Sequence, residues 1–353
     1  MKVFCFGIGE TGSKLVDTLT EFEQGSPADF IVDGVACSTA RADFQSLDTI
    51  PQSKQLVFGA GDTATDEAQA AELAEEDHRQ LLRGTDDAPV SRADAFVICA
   101  GLGEVTSGAS PVLAKHLKRV HDQPVYGIGV LPELEETHRV DTALRTLRKF
   151  VAATDHVIGA DAETAGSTEA AVTAVTRRFG TLCAAGEGGD GIAESVVDAS
   201  EIINTLRGGG VATLGYATSE LPERETGGLT QTVKRLIGAD EPDPVDDLDA
   251  QNRITTHTRE ALLGQLTFPC AVDSTSRGLV VVSGPPAWLN RSAIEQSRSW
   301  VEDETECLEI RGGDYPRPSA NQIGVLVLLA GVSPAERIEA LRAAAEGSEQ
   351  TSE

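Results

Sequence analysis

Short apolar runs alternate with amphipathic segments through the first half of the chain. Each run has the length of a buried strand, and most segments between the runs carry apolar residues at the three-to-four-residue spacing of a helix. Such alternation predicts an α/β fold, with a parallel, Rossmann-like sheet covered by helices on both faces. The predicted strands are residues 3–6, 31–36, 55–59, 96–100, 125–130 and 156–160.

The second half of the chain begins with a longer helical pattern. Residues 163–185 predict one long central helix, and the glycine-rich residues 186–191 end it. A smaller mixed α/β region follows, interrupted by an acidic, proline-containing stretch at residues 220–249 that predicts a solvated, mobile loop. Its predicted helices are residues 198–206, 252–263, 291–304 and 334–345, and its predicted strands are residues 211–216, 278–283, 307–312 and 322–330.

The chain length and these patterns predict two domains. A chain of 353 residues is long enough for two hydrophobic cores. We place the first domain at residues 1–162, the central helix at residues 163–187, the second domain at residues 188–347 and a tail at residues 348–353.

The chain is strongly acidic, with 56 acidic residues against 29 basic ones and a net charge of −27. This charge is spread along the whole chain and repels phosphate backbones, so we expect no nucleic-acid partner. Self-repulsion of this size is tolerable where salt screens it, which predicts a salt-rich cytoplasm. An acidic protein of ordinary cytosol is the alternative.

The cysteines and histidines predict neither disulfides nor a metal site. The six cysteines form no CxxC pair and several lie in apolar runs, which indicates buried, reduced thiols. No two of the six histidines stand three or four positions apart, so we expect no bound metal. The longest apolar run, residues 323–331, is too short for a transmembrane segment, and no signal peptide precedes the first strand. We therefore predict a cytoplasmic protein.

A first glycine loop follows the first predicted strand. Gly7, Gly9 and Gly12 match the pattern GxGxxG, with Glu10 and Thr11 inside it, between a strand and a helix. Such a loop suits a phosphate, and the same pattern fits an NAD or FAD site or a purely structural turn. A dinucleotide site needs an acid at the end of the second strand. Asp33 precedes the apolar part of that strand, which disfavours an oxidoreductase.

A second glycine loop lies in FVICAGLGEVTSGASPVLA, residues 96–114. It joins a strand to a helix, so its backbone N–H groups and the helix dipole converge on a point that suits an anion. Two of its residues oppose a phosphate there. The carboxylate of Glu104 at about 4 Å would cost on the order of 4 kcal/mol at an effective dielectric constant near 20, and the β-branched Val105 resists positive φ. The remaining loop residues that we assign to an anion site are Gly101, Gly103, Thr106, Ser107 and Gly108.

The two loops, the long helix and an acidic segment after it resemble the tubulin/FtsZ superfamily, and most closely the CetZ proteins of salt-loving archaea. The resemblance extends from end to end of the chain. The segments that carry it are GIGETGSKLVD (7–17), AELAEED (71–77), AGLG (100–103), SPVLAKHLKR (110–119), PVYGIGVLP (124–132), ESVVDASEIINTLRGGGVATLGYAT (194–218) and IRGGDYP (310–316).

The resemblance implies a tubulin-like cytoskeletal protein that binds GTP or GDP, with Mg²⁺ as a possible companion, and that influences cell shape. Subunits of this family assemble head to tail with other tubulin or CetZ-type subunits. The GTP of one subunit is hydrolysed when the acidic loop of the next one reaches it. Here that loop would be VVDASEI, in which Asp198 and Glu201 orient a water or a cation. On the ribose side the resemblance implies Glu136.

The chain departs from the family pattern at several nucleotide contacts. The second loop reads GLGEVTSG where the family has roughly GLGGGTGSG, and Ser38 and Val172 stand where the family has asparagine. Thr137 replaces the glycine beside Glu136, and residues 62–72 lack the glycines of another phosphate-side loop. Each unmet hydrogen bond costs about 1 to 3 kcal/mol. We therefore predict weak or absent GTP binding and GTP hydrolysis.

Three functions follow as hypotheses. An intact acidic loop with a poor nucleotide site predicts an accessory or filament-capping subunit that acts on GTP-competent paralogues. An active, self-polymerising GTPase is the alternative if Glu104 brings Mg²⁺ to the phosphates. A nucleotide-free scaffold that binds a partner through residues 240–249 is the third, although these residues also suit a solvated spacer.

Overall fold

A ten-stranded sheet runs through the protein in the computed structural model, which describes residues 1–59, 64–86, 88–187, 197–222 and 247–351. Its strands lie in the order β3-β2-β1-β4-β5-β6-β7-β10-β8-β9. Along the chain they are β1 (Val3–Ile8), β2 (Ile31–Ser38), β3 (Gln55–Val57), β4 (Ala95–Gly101), β5 (Val125–Leu131), β6 (His156–Asp161), β7 (Val211–Glu220), β8 (Arg277–Gly284), β9 (Ile310–Pro316) and β10 (Gln322–Val332).

The strand directions place the two glycine loops together. The neighbours from β3 to β7 pair in parallel, whereas β10 is antiparallel to both β7 and β8, and β9 is parallel to β8. Ile8 at the end of β1 pairs with Ala100 in β4. The loops that follow these two strands therefore start side by side at the carboxyl edge of the sheet.

Helices cover both faces of the sheet. In the described part of the chain they are α1 (Gly9–Gln24), α2 (Glu67–Glu76), α3 (His78–Leu82), α4 (Ala109–Val120), α5 (Thr137–Ala153), α6 (Ala162–Ala165), α7 (Thr168–Ala185), α8 (Ala199–Thr205), α9 (Asp247–Leu263), α10 (Arg291–Thr305) and α11 (Ala335–Thr351). α1 packs against α7 on one face, and α4 packs against α2 and α5 on the other. None of these helices combines the length and apolarity that crossing a membrane requires.

Burial on both faces explains the unbroken apolar runs of the central strands. Along β1, Phe4 and Phe6 enter one core while Val3 and Cys5 enter the other. The rings of Phe4 and Phe96, from the neighbouring strands β1 and β4, have centroids 5.7 Å apart. All six cysteines are free thiols and five of them are buried, as predicted.

The α/β class, the parallel sheet and the predicted strands are confirmed, with changes at several ends. β2 continues to Ser38 and β7 to Glu220. β3 ends at Val57, two residues before the predicted end. β9 covers Ile310–Pro316 instead of residues 307–312.

The prediction of one continuous helix over residues 163–185 is wrong. The short helix α6 ends at Gly166, whose φ of 89° breaks the helical path. Ser167 then starts α7, because its hydroxyl accepts a 3.0 Å hydrogen bond from the backbone N–H of Ala170. This N-cap provides the new start that a helix needs after a break. The central helix is therefore α7, Thr168–Ala185.

Two further boundaries in the second half differ from the prediction. α9 starts at Asp247, so the last residues of the predicted acidic loop are helical, and the helix begins before residue 252. α11 continues to Thr351 and takes in part of the predicted tail. The rest of the acidic loop, residues 223–246, lies outside the described residues.

Candidate nucleotide site and acidic helix

The first glycine loop leads from β1 directly into α1. Gly7 lies in β1, while Gly9 and Gly12 lie in the first turn of α1. Gly9 has a φ of 73°, which side chains other than hydrogen disfavour. A Cβ on Gly12 would lie 2.2 Å from the carbonyl oxygen of Cys99 in β4. These glycines bring the start of α1 close against the neighbouring strand.

Glu104 of the second glycine loop binds the N-terminus of α1. Its Oε1 accepts a 3.0 Å hydrogen bond from the backbone N–H of Thr11 and a second hydrogen bond from the Thr11 hydroxyl. Ile8, at the N-cap position, supplies no side-chain acceptor. Glu104 therefore provides the hydrogen-bond acceptor that a helix N-terminus favours. A phosphate would compete for the same place.

The second carboxylate oxygen of Glu104 lies between the two glycine loops. It is buried and has no hydrogen-bond partner. A Cβ on Gly9 would lie 2.3 Å from it, so the carboxylate fills the space next to this glycine. Burial raises the pKa of Glu104 to about 7, although the hydrogen bonds from Thr11 and the charge of Arg139 oppose the shift. Near pH 7 the carboxyl group therefore exists in both neutral and ionised forms.

The rest of the second loop adopts a regular turn and makes hydrogen bonds within the protein. Val105 starts a 3₁₀ turn that ends at Gly108. Positive φ occurs among described non-glycine residues at Glu306 alone, so Val105 does not adopt the conformation that its β-branched side chain resists. The hydroxyl of Ser107 is a donor 3.0 Å from the carbonyl oxygen of Leu102 and 2.5 Å from that of Glu104.

The cavity at the second loop is small. Gly101 ends β4, and Gly103 follows it in the turn. The cavity lined by these glycines, Thr11, Glu104 and Arg139 has a volume of about 10 Å³. A volume of about 10 to 15 Å³ accommodates roughly one water molecule. The protein's own side chains therefore fill most of the space between the glycine loops.

Three more predicted contacts are placed as follows. Thr106 is buried, and its Oγ1 would lie 2.4 Å from a Cβ on Gly9, so it lines the first loop. Glu136 pairs with Arg139 at 3.0 Å, and its Oε2 is buried without a hydrogen-bond partner. Glu10 is exposed on α1.

The residues predicted to mark lost contacts are engaged elsewhere. Ser38 is fully buried at the end of β2, where its hydroxyl donates to Asp43 over 2.5 Å. Val172 packs into the core between α7 and the sheet and is 5 % exposed. In the segment at residues 62–72, which lacks the glycines of a phosphate-side loop, residues 62 and 63 lie outside the described part of the chain, and the last six residues belong to α2.

The two acids of the predicted catalytic loop lie at the start of α8. Asp198 caps the helix by accepting a 3.0 Å hydrogen bond from the backbone N–H of Glu201, and a 2.6 Å bond from the hydroxyl of Ser200. These bonds, the one from Ser200 first, lower the pKa of Asp198. Glu201 pairs with Arg311 of β9 at 3.2 Å. Asp198 is exposed and Glu201 is partly exposed, so both carboxylates are accessible at the surface.

The acidic helix and the glycine loops belong to opposite edges of the parallel strands. α8 leads into β7, whose first residue, Val211, pairs with Val157 near the start of β6. The helix therefore ends at the amino edge of the parallel strands, whereas the glycine loops follow the carboxyl ends of β1 and β4. A head-to-tail contact joins two such different ends of a molecule.

Sequence reasoning missed two basic residues. Arg139 stands in the first turn of α5 and lines the cavity beside Glu104, and Arg311 binds Glu201 from a distant strand. The one available signal was their rarity, because the chain has only 29 basic residues. Charge alone could not show which acid each of them meets.

Comparisons with known proteins match this arrangement along the whole chain. Residues 2–164 match the GTPase domain of the tubulin/FtsZ family, and residues 163–347 match the C-terminal domain of tubulin-like CetZ. The chain belongs to the CetZ family of tubulin-like proteins. It is 52 % identical over 367 residues to tubulin-like protein CetZ5 of Haloferax volcanii, with 99 % of this chain and 93 % of that protein covered.

Solved CetZ structures share the fold. CetZ1 from Haloferax volcanii, a GDP-bound monomer, superposes with a TM-score of 0.84 at 35 % identity. The superposition covers 99 % of this chain and 100 % of the CetZ1 chain. CetZ2 from the same organism, a GTPγS-bound protofilament, also has a TM-score of 0.84, at 33 % identity, with 100 % of this chain and 99 % of its own covered. The predicted tubulin/FtsZ-like fold and the CetZ resemblance are confirmed.

Proposed function

We propose that this CetZ protein is an accessory or filament-capping subunit in cell-shape control, with a nucleotide cleft that its own Glu104 blocks. The observation that carries the proposal is the pair of hydrogen bonds from Thr11 to the Glu104 carboxylate. GTP would have to displace this carboxylate to reach the N-terminus of α1. The residues around the cleft, as they are arranged, do not fit a triphosphate.

The energetics support weak or absent GTP binding. An ionised Glu104 about 4 Å from a phosphate would cost on the order of 4 kcal/mol at an effective dielectric constant near 20. Protonation lessens this cost near pH 7, because the pKa of Glu104 is raised to about 7. The buried side chain of Val172 cannot form a hydrogen bond with the guanine base. Each such missing hydrogen bond costs about 1 to 3 kcal/mol of binding free energy.

The acidic end supports action on another subunit. Asp198 is exposed and ionised, and Arg311 holds Glu201 beside it on α8. These carboxylates could orient a water or a cation at the nucleotide of a neighbouring CetZ subunit. The blocked cleft at the opposite edge would recruit no further subunit. One competent end and one blocked end are what a cap requires.

A mixing experiment tests this function. The protein is added to a GTP-competent CetZ paralogue in concentrated KCl, and polymer mass is followed by sedimentation alongside GTP turnover. We expect substoichiometric amounts to change both quantities, and the double variant Asp198→Ala, Glu201→Ala to lose the effect. Glu339→Ala, which removes an exposed acid from α11, is the control and should behave like wild type. Unchanged polymer mass and turnover with the wild-type protein would contradict the proposal.

One observation favours a second function, an active self-polymerising GTPase. The buried Oε2 of Glu104 has no hydrogen-bond partner, and a carboxylate oxygen is a ligand that Mg²⁺ accepts. If a GTP-bound Mg²⁺ used this oxygen, Glu104 would attract the nucleotide complex. GTP binding with and without Mg²⁺ separates the two functions. If the protein is an active GTPase, GTP should bind tightly, Mg²⁺ should strengthen this binding, and Glu104→Gln should weaken it. If Glu104 blocks the cleft, GTP should bind weakly both with and without Mg²⁺.

A further inference from the structure

Three potential metal ligands meet where α2, α3 and α4 pack together. Glu75 lies near the end of α2, His78 begins α3, and His116 lies in α4. One ligand atom from each residue lies within 4.8 Å of the other two. The three residues are not part of the cleft at Glu104, so an inference about them is independent of the proposed function.

Existing hydrogen bonds already orient two of these side chains. Nε2 of His116 lies 3.0 Å from Oε2 of Glu75. Nδ1 of His78 donates to the backbone carbonyl oxygen of Glu75 over 2.7 Å, which leaves the lone pair of this ring on Nε2. Histidines that bind metals commonly donate their other ring N–H to such an acceptor. His116 is buried while Glu75 is exposed, so the cluster has an open side for entry.

We propose that Glu75, His78 and His116 bind a zinc ion. Two imidazoles and one carboxylate form a donor set that suits Zn²⁺, whereas Mg²⁺ and Ca²⁺ prefer oxygen ligands alone. A water molecule from the exposed side completes the tetrahedron. When the ion takes the place of the proton between His116 Nε2 and Glu75, Nδ1 carries the N–H of the neutral imidazole, because the ion binds an unprotonated ring nitrogen and an ionised carboxylate.

Binding also requires one imidazole ring to turn. The rings of His78 and His116 are stacked, with centroids 4.3 Å apart and planes 9° from parallel. Lone pairs lie in the ring planes, so two parallel rings cannot both direct them at one ion. His78 is only half-buried and stands at the first residue of a short helix, so it is the ring that turns. The bound ion would replace the stack and tie α2 and α3 to α4.

The spacing of histidines could not reveal this site. We predicted no bound metal because no two histidines stand at helical spacing. Glu75 and His78 are three positions apart, but His116 follows 38 residues after His78 and reaches them only through helix packing. The proposal therefore departs from the prediction made on spacing alone.

Calorimetric titration with ZnCl₂ in concentrated KCl, after treatment with a chelator, tests the site. We expect saturable binding of one ion per chain, with loss of that binding in His116→Ala and in His78→Ala. His138→Ala, which removes an exposed histidine from α5, is the matched control and should bind like wild type. Excess Mg²⁺ in every titration suppresses weak binding to the acidic surface.

A second measurement covers the case in which the buried His116 variant does not fold. Co²⁺ in a tetrahedral site absorbs visible light strongly, so wild type and His138→Ala loaded with Co²⁺ should show these bands, and His78→Ala and Glu75→Gln should lose them. Circular dichroism confirms that the compared variants are folded. Absence of saturable Zn²⁺ binding in wild type, or equal binding in folded His78→Ala, would overturn the proposal.

Discussion

The carboxylate of Glu104 accepts hydrogen bonds from both the backbone N–H and the hydroxyl of Thr11, a residue 93 positions earlier in the chain. The contact joins the two glycine loops of this CetZ protein at the N-terminus of α1. A carboxyl group that belongs to the protein therefore occupies a place that suits a phosphate.

The raised pKa of Glu104 predicts a pH dependence of stability. An acid whose pKa is 4.5 when exposed and about 7 when folded destabilises the fold as pH rises between these values. Glu104→Gln removes this loss. We expect the variant to gain on wild type by up to about 3 kcal/mol in free energy of unfolding between about pH 5 and about pH 8. Urea unfolding at constant KCl measures the gain, and a difference that does not change with pH would contradict the assignment.

Substitutions at Asp198 separate its capping role from its charge. Alanine removes the N-cap of α8 and should cost about 1 kcal/mol in free energy of unfolding. Asparagine caps as well as aspartate, so Asp198→Asn should keep the stability of wild type. Both variants should lose the effect on a paralogue's GTP turnover, because both lack the charge. An asparagine variant that changes turnover as wild type does would show that the charge of this carboxylate plays no part.

The ion pair between Arg337 and Asp161 should hold α11 on the first half of the chain. The guanidinium donates to Asp161 over 2.8 Å and to the carbonyl oxygen of Pro132 over 2.8 Å, and both charged side chains are buried. Arg337→Ala leaves a buried charge unpaired and should lower the free energy of unfolding by about 3 to 5 kcal/mol. The exposed Arg342 on the same helix is the control, with an expected change within about 0.5 kcal/mol. Equal small effects of the two variants in urea unfolding would rule out this role.

Much of the fold could be predicted because the strands are buried on both faces. In β1 every residue from Val3 to Ile8 is buried, so an unbroken apolar run identified the strand and the parallel sheet. The break at Gly166 was missed because one glycine within a helical pattern is usually tolerated. The adjacent Ser167 was the available signal, since serine is a preferred N-cap.

The site was predictable only in part. Parallel strands bring their carboxyl ends to one edge, so the pattern around Gly9 and Gly101 was enough to locate the cleft. The position of the Glu104 side chain was not predictable, because it depends on packing between segments far apart in sequence. We expected this carboxylate to oppose a phosphate, and the sequence did not show that it accepts hydrogen bonds from Thr11.

Equilibrium binding of labelled GTP in concentrated KCl to wild type, Glu104→Gln and Glu104→Gly is the most direct test of the blocked cleft. Glutamine removes the charge and keeps the volume, whereas glycine removes both. We predict weak or undetectable binding to wild type and a gain of about tenfold or more for the glycine variant, with glutamine between them. Tight binding to wild type, or no gain in the glycine variant, would contradict the claim that Glu104 keeps GTP out.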